Sequence, residues 1–151
     1  MKIVLNKCFG GFGLSHEAKM MIFEKRGVEV FPYLSKFGDE EFIYEKLSKE
    51  KIAESGPRDI TRDITYFQKD PELDSFSEDW GEEDKFDSIY LDFDDDRGNK
   101  DLVEVVEELG EKASGKYSNL KVVEIPDGAS YEISDYDGIE TAHYGFQTGS
   151  V

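Results

Sequence analysis

The chain has 151 residues, a formal net charge of −17, and 38% hydrophobic and 13% aromatic residues. Its eleven Phe and eight Tyr exclude a disordered acidic tail, since rings in that number require a core. The single cysteine, Cys8, excludes an internal disulfide and suits a reducing, cytoplasmic setting, and no apolar run approaches a membrane span.

The charge is unevenly spread. Residues 70–96 hold 13 acidic side chains and one basic one (Lys85), a balance of −12, whereas residues 1–69 sum to +1. Such a field repels phosphates and anionic headgroups and attracts basic surfaces or divalent cations. Direct nucleic-acid or membrane binding is therefore not expected.

In chain order, Lys2–Cys8 reads as a buried strand, Phe9–Gly13 as a glycine-rich turn, and Ser15 as the N-cap of a helix over 16–26 that Gly27 ends. Val28–Leu34 predicts a second strand whose Pro32 belongs at an edge or a strand end. This strand–helix–strand spacing predicts a βαβ unit. Residues 39–54 predict an irregularly amphipathic helix, and the tandem Arg-Asp-Ile-Thr at 58–65 fits either a helical turn or an alternating strand. Residues 68–88 read as an acidic loop or insertion whose aromatics dock on the body.

Ser88–Phe93 predicts a third strand, in the same sheet as residues 2–8. Asn99 or Asp101 can cap a helix over 100–112, where Leu102, Val105, Val106 and Leu109 repeat at helical spacing. Leu120–Ile125 and Tyr131–Ile133 predict further strands, and 145–151 predicts a frayed tail. The expected fold is a single α/β domain over 1–144. It has a small sheet of about four to five strands with two main helices packed on it and antiparallel last strands.

Three stretches together are familiar. They are Asn6-Lys7-Cys8-Phe9-Gly10-Gly11-Phe12-Gly13-Leu14-Ser15, VVEELGEKASGKYSNLKVVEIPDG at 105–128, and Tyr131-Glu132-Ile133 with Tyr136-Asp137-Gly138-Ile139-Glu140. Over residues 1–34 and 98–142 the chain resembles a family of small proteins encoded mostly in bacteriophages and prophages. The resemblance implies an origin, and with it the cytoplasm of a bacterial host, but no chemistry. It leaves the acidic middle unmatched.

Four groups of residues invite a functional reading. Gly10, Gly11 and Gly13 could offer backbone N–H groups to an anion at a helix start, although the third glycine of the dinucleotide fingerprint and the P-loop Lys-Ser/Thr are missing. A tight turn that needs glycine for its dihedrals competes with that reading. Tyr136 and Asp137, in a polar and aromatic strand and turn, could line a pocket for a phosphate-bearing ligand or simply form a half-exposed edge strand. Asp92 and Asp94 could hold a hard cation, or belong to a solvated acidic turn. Cys8 lacks a convincing activating partner and reads as inert.

The acidic middle supplies the fourth group, Phe76, Glu78, Asp79, Trp80, Glu82, Glu83 and Asp84, as a partner surface with aromatic anchors. The expected function is a non-catalytic phage accessory protein that uses this surface to bind a basic face of a host defence or transcription protein. No cofactor is implied. The alternative is a nucleotide or phosphate-ligand binder, or a weak metal-dependent hydrolase, built on the glycine loop and the strand-end carboxylates.

Overall fold

The computed structural model describes residues 1–37, 41–48, 50, 63–79, 84–145 and 149–151. Among its described residues the chain is an α/β domain with two helices of ten residues each, a five-stranded antiparallel sheet and smaller antiparallel pairings. It divides into two compact units, residues 1–22 with 92–151, and residues 23–91. No helix among the described residues is long and apolar enough to cross a membrane.

The first unit begins with β1 (Lys2–Asn6) and the helix α1 (His16–Lys25), which continues into the second unit. Ser15 Oγ accepts the Ala18 N–H, so the expected N-cap is in place. At the other end Gly27, at φ 68°, gives its N–H to the Glu24 carbonyl, which stops the helix where the sequence predicts.

The second helix, α2 (Lys100–Leu109), is capped by Asn99, whose side chain accepts the N–H groups of Asp101 and Leu102. Its Leu102, Val105 and Val106 are buried as the period requires, each worth about 1.5–3 kcal/mol on the usual burial scale. A 3-10 turn (Gly110–Ala113) leads on towards β7 (Leu120–Glu124), which pairs antiparallel with β1 from Lys2 opposite Glu124 to Asn6 opposite Leu120.

Three strands complete this unit. β8 (Tyr131–Tyr136) and β9 (Ile139–Tyr144) form a hairpin, closed by Asp137 and Gly138 at φ 49° and 96°. Two left-handed residues are what a two-residue hairpin turn needs, which explains the Asp-Gly pair. β10 (Gly149–Ser150) adds to β9, and Val151 exchanges two backbone hydrogen bonds with Ala142. The last three residues are thus pinned to the hairpin where a frayed tail was expected. Ile3 and Leu5 of β1 pack with Ile125 and Ala142, joined by Ile133, Tyr131 and Tyr144.

The second unit is built on the sheet β5-β3-β2-β4-β6. These strands are β2 (Phe31–Phe37), β3 (Glu41–Lys46), β4 (Asp63–Phe67), β5 (Ser75–Asp79) and β6 (Ser88–Ile89), and every neighbouring pair is antiparallel. One face gathers rings: Tyr33, Tyr44 and Phe67 are buried, with Phe31, Phe76 and Phe86 packed on them. On the other face Phe23, from the end of α1, lies against Tyr66 with centroids 5.3 Å apart.

Three sequence expectations are corrected. Residues 2–8 and 88–93 do not share a sheet: β1 pairs with β7, and only Ser88–Ile89 forms a strand, paired with β4. The β1–α1–β2 stretch is therefore not a parallel βαβ unit. Residues 41–46 are strand rather than helix; Phe42 and Tyr44 project to one face and stack at 6.3 Å. The first Arg-Asp-Ile-Thr copy, Arg62 of the second, and residues 39, 40, 49 and 51–54 lie outside the described residues, while Asp63-Ile64-Thr65 opens β4. Pro32 sits in a central strand, but its carbonyl accepts the Leu47 N–H, so its missing donor falls just past the last β2–β3 pair.

Candidate functional site

In the first unit, the glycine loop at the end of β1 is taken up by the protein itself. Gly10 N–H donates to the Asp137 carbonyl at 3.0 Å, and the Gly13 carbonyl accepts from Gly115 N–H and Ser118 Oγ. A Cβ built on Gly138 would lie 2.3 Å from Gly11 N, and one on Gly10 would lie 2.4 Å from the Tyr117 carbonyl oxygen. The structure thus brings Gly10 and Gly11 to Asp137 and Gly138, as the ligand-site reading requires. It does so by backbone contact, and the Gly10 donor is spent on a carbonyl rather than an anion. The glycines are needed for close approach.

Around this meeting of three turns, Phe9, Tyr117 and Tyr136 are 64%, 69% and 73% exposed. The Lys116 ammonium lies 5.6 Å from the centroid of the Tyr117 ring. Cys8, half-buried, has its sulfur 3.4 Å from the Tyr117 carbonyl and 3.6 Å from Asn6 Oδ1, both acceptors suited to its S–H.

Beneath the turns lies a network that sequence reasoning missed. The Arg97 guanidinium donates to both Glu140 carboxylate oxygens, at 2.5 and 2.7 Å, and to the Val4 carbonyl at 3.3 Å. Both side chains are buried, and the guanidinium carbon sits 4.0 Å from the centroid of the Phe12 ring. Glu140 Oε1 also accepts the Asn6 N–H, while Arg97 carbonyl accepts the Val4 N–H. Asn6 is fully buried and ties three segments together, its own, the one at Asn119 and the 138–140 hairpin, through bonds to Cys8, Gly138, Asn119 and Glu140. These bonds close the edge of β1 that faces away from β7. Buried and joined by two charge-assisted bonds, with only Arg97 Nε left without a partner, the pair fastens the fold.

Asp92 and Asp94 stand in a turn in which Asp92 Oδ1 accepts the Asp94 N–H. Asp94 reaches Arg97 at 3.9 Å. Among the described residues, no three His, Cys, Asp or Glu side chains are grouped to hold a metal ion. Asp94 and Asp95 instead line an open groove of about 710 Å³ with Ser130, Tyr131 and Glu132.

In the second unit, the expected partner residues divide. Phe76 is a half-buried member of the aromatic cluster, 4.9 Å from Tyr44 and 5.2 Å from Phe86 between centroids. It packs the sheet instead of standing out as an anchor. Glu78 is half-buried on the same strand, the Asp79 backbone ends β5, and Trp80, Glu82 and Glu83 lie outside the described residues. Asp84 is exposed and accepts both the N–H and the hydroxyl of Ser88.

Exposed carboxylates lead into β5, namely Asp70, Glu72 and Asp74. Asp84 and Asp87 flank Phe86; Asp87 lies beside the end of β4, where its carboxylate pairs with Lys69 at 3.3 Å. Their field reaches the rings. Tyr44 is pushed up to about 12, chiefly by burial and then by Glu78, and Tyr33 is raised by burial and by Asp70. The Tyr33 hydroxyl donates to the Leu73 carbonyl, which fixes the acidic loop on the sheet. Residues 68–74 are thus an ordered approach to a strand, and 75–79 belong to the sheet itself.

Comparison with family models, with curated proteins and with solved structures finds no match for this chain.

Proposed function

We propose that this protein acts by binding and not by catalysis, and that its partner presents a basic protein surface to the acidic end of the five-stranded sheet. The observation that carries this reading is the set of exposed carboxylates that lead into β5. Glu72 and Asp74 make no side-chain hydrogen bond or ion pair among the described residues. Exposed carboxylates without a structural duty leave a negative field that a cationic partner can neutralise. The likeness to phage-encoded proteins suggests a host factor of defence or transcription, whose basic face ordinarily holds nucleic acid, and hence action in the bacterial cytoplasm.

The test is a comparison of two triple variants of the whole chain. One carries Asp70→Asn, Glu72→Gln and Asp74→Asn; the other carries Glu111→Gln, Glu124→Gln and Glu132→Gln in the first unit. A basic protein recovered from bacterial lysate on the wild type is purified, and its affinity is measured by calorimetry at low and high salt. The first triple variant is expected to lose binding and the second to keep it, with wild-type affinity falling as the screening length shrinks to about 3 Å at 1 M salt. Equal binding by the two variants, or salt-independent binding, overturns the reading.

A further inference from the structure

Among the described residues, two strand edges are closed to further pairing, and that of β5 is among those left open. The edge of β1 that faces away from β7 is taken by Arg97 and by the Glu140 carboxylate. At one end of the large sheet β6 is only two residues long, too short to template another strand. At the other end stands β5, five residues with neither Pro nor Lys to blunt it.

The register states which groups that edge offers. Lys46 N–H donates to the Asp74 carbonyl at 2.8 Å, and Glu45 lies opposite Ser75. In an antiparallel ladder hydrogen-bonded pairs alternate with non-bonded ones. Asp74, Phe76 and Glu78 therefore turn their backbone groups towards β3, while Ser75, Ser77 and Asp79 turn theirs outward. Ser75 and Ser77 are exposed, and among the described residues nothing covers their outward N–H and C=O groups.

We infer that β5 is a strand-addition site for an extended segment bearing lysine or arginine, which pairs with the outward groups of Ser75, Ser77 and Asp79. The inference rests on the proposed acidic binding face and names its mode of contact. Backbone pairing supplies affinity without demanding a particular sequence, and charge selects the occupant. A basic segment on this edge runs beside the exposed Asp74, whose backbone pairs with Lys46 at the start of the β5 ladder. Charge also disfavours a second copy of the chain. Pairing β5 with itself would bring two such acidic edges together in a protein of net charge −17.

The probe is a synthetic peptide of alternating lysine and valine, with an alternating glutamate and valine peptide as control. Amide hydrogen exchange of the wild-type protein is read with and without saturating peptide, and affinity is measured for Ser77→Pro and Ser77→Ala. The lysine peptide is expected to slow exchange at Ser75 and Ser77. Ser77→Pro, which removes an outward donor at an edge position that tolerates proline, is expected to weaken binding about tenfold, close to 1.4 kcal/mol. Ser77→Ala, which keeps the N–H, is expected to bind within about twofold. Unchanged exchange at Ser75 and Ser77 under saturation overturns the inference, and this holds even where Ser77→Pro fails to fold. Loss of binding in the carboxylate triple variant with full binding by a folded Ser77→Pro also overturns strand addition while sparing the acidic face. Self-association of the wild type that Ser77→Pro abolishes, read by sedimentation, assigns the edge to a second copy and overturns it as well.

Discussion

Arg97 and Glu140, 43 positions apart, meet in a buried two-bond ion pair in the first unit. Glu140 also holds the Asn6 N–H, and Arg97 holds the Val4 carbonyl. Removing Glu140 leaves the buried Arg97 with only the exposed Asp94, 3.9 Å away, as a counter-charge among the described residues. Glu140→Ala is therefore expected to cost about 3–5 kcal/mol in denaturant unfolding. Glu140→Gln retains an acceptor for Asn6 and should cost less than Ala. A Glu140→Ala protein as stable as the wild type would show that the pair contributes nothing to the fold.

The meeting of the Gly10 and Gly138 turns gives a second expectation. Gly138 sits at φ 96° with Gly11 N only 2.3 Å from where a Cβ would stand, whereas Gly128 sits at φ 74° with nothing within 4 Å. Gly128→Ala should cost about 1–2 kcal/mol, the penalty of a left-handed alanine. Gly138→Ala adds a backbone collision to that penalty and should lower the melting temperature further. Equal losses for the two variants would mean that the turns part easily.

His16, in the first turn of α1, follows a different physics. Burial, followed by the charge of Lys19, lowers its pKa from 6.5 to about 4. The unfolded chain thus takes up a proton near pH 6.5 that the folded protein refuses until about pH 4. This contribution to stability is complete above pH 6.5, falls as the pH drops towards 4, and is level below it. His16→Gln should show a shallower loss of stability across that window than the wild type. Parallel stability curves for the two proteins would contradict the assignment.

Much of the first unit was legible because its signals are local. Ser15 and Asn99 are caps read from residue type, Gly27 is a stop, and Leu102, Val105 and Val106 announce the buried face of α2 by spacing alone. The Asp137-Gly138 turn was legible for the same reason. What failed was pairing. A strand, a helix and a strand at βαβ spacing suggested a parallel sheet, yet nothing in β1 itself reveals that β7 is its neighbour. In 41–46, Glu and Lys favour a helix locally, but Phe42 and Tyr44 gain more by facing the rings of the second unit, so tertiary packing overrides propensity. The candidate site follows this pattern. The carboxylates were visible in the composition, whereas Phe76 changed from anchor to core because ring packing depends on strands distant in the chain. Arg97 and Glu140 carry no motif, and only the fold introduces them to each other.

Tyr44 reports directly on the acidic sheet end. Its hydroxyl is raised from 10 to about 12, first by burial and then by Glu78 and other neighbouring groups. Between pH 10 and 12 the folded protein keeps a proton that the unfolded chain releases, so this contribution to stability is whole below pH 10 and is lost as the pH rises through 12. The difference in ultraviolet titration between wild type and Tyr44→Phe isolates this one ring. In Glu78→Gln the same difference should move down in pH but stop above 10, because burial is the larger cause and survives the substitution. A Tyr44 that titrates unchanged in Glu78→Gln would remove Glu78 from the field around β5. A shift all the way to 10 would make charge, not burial, the dominant cause.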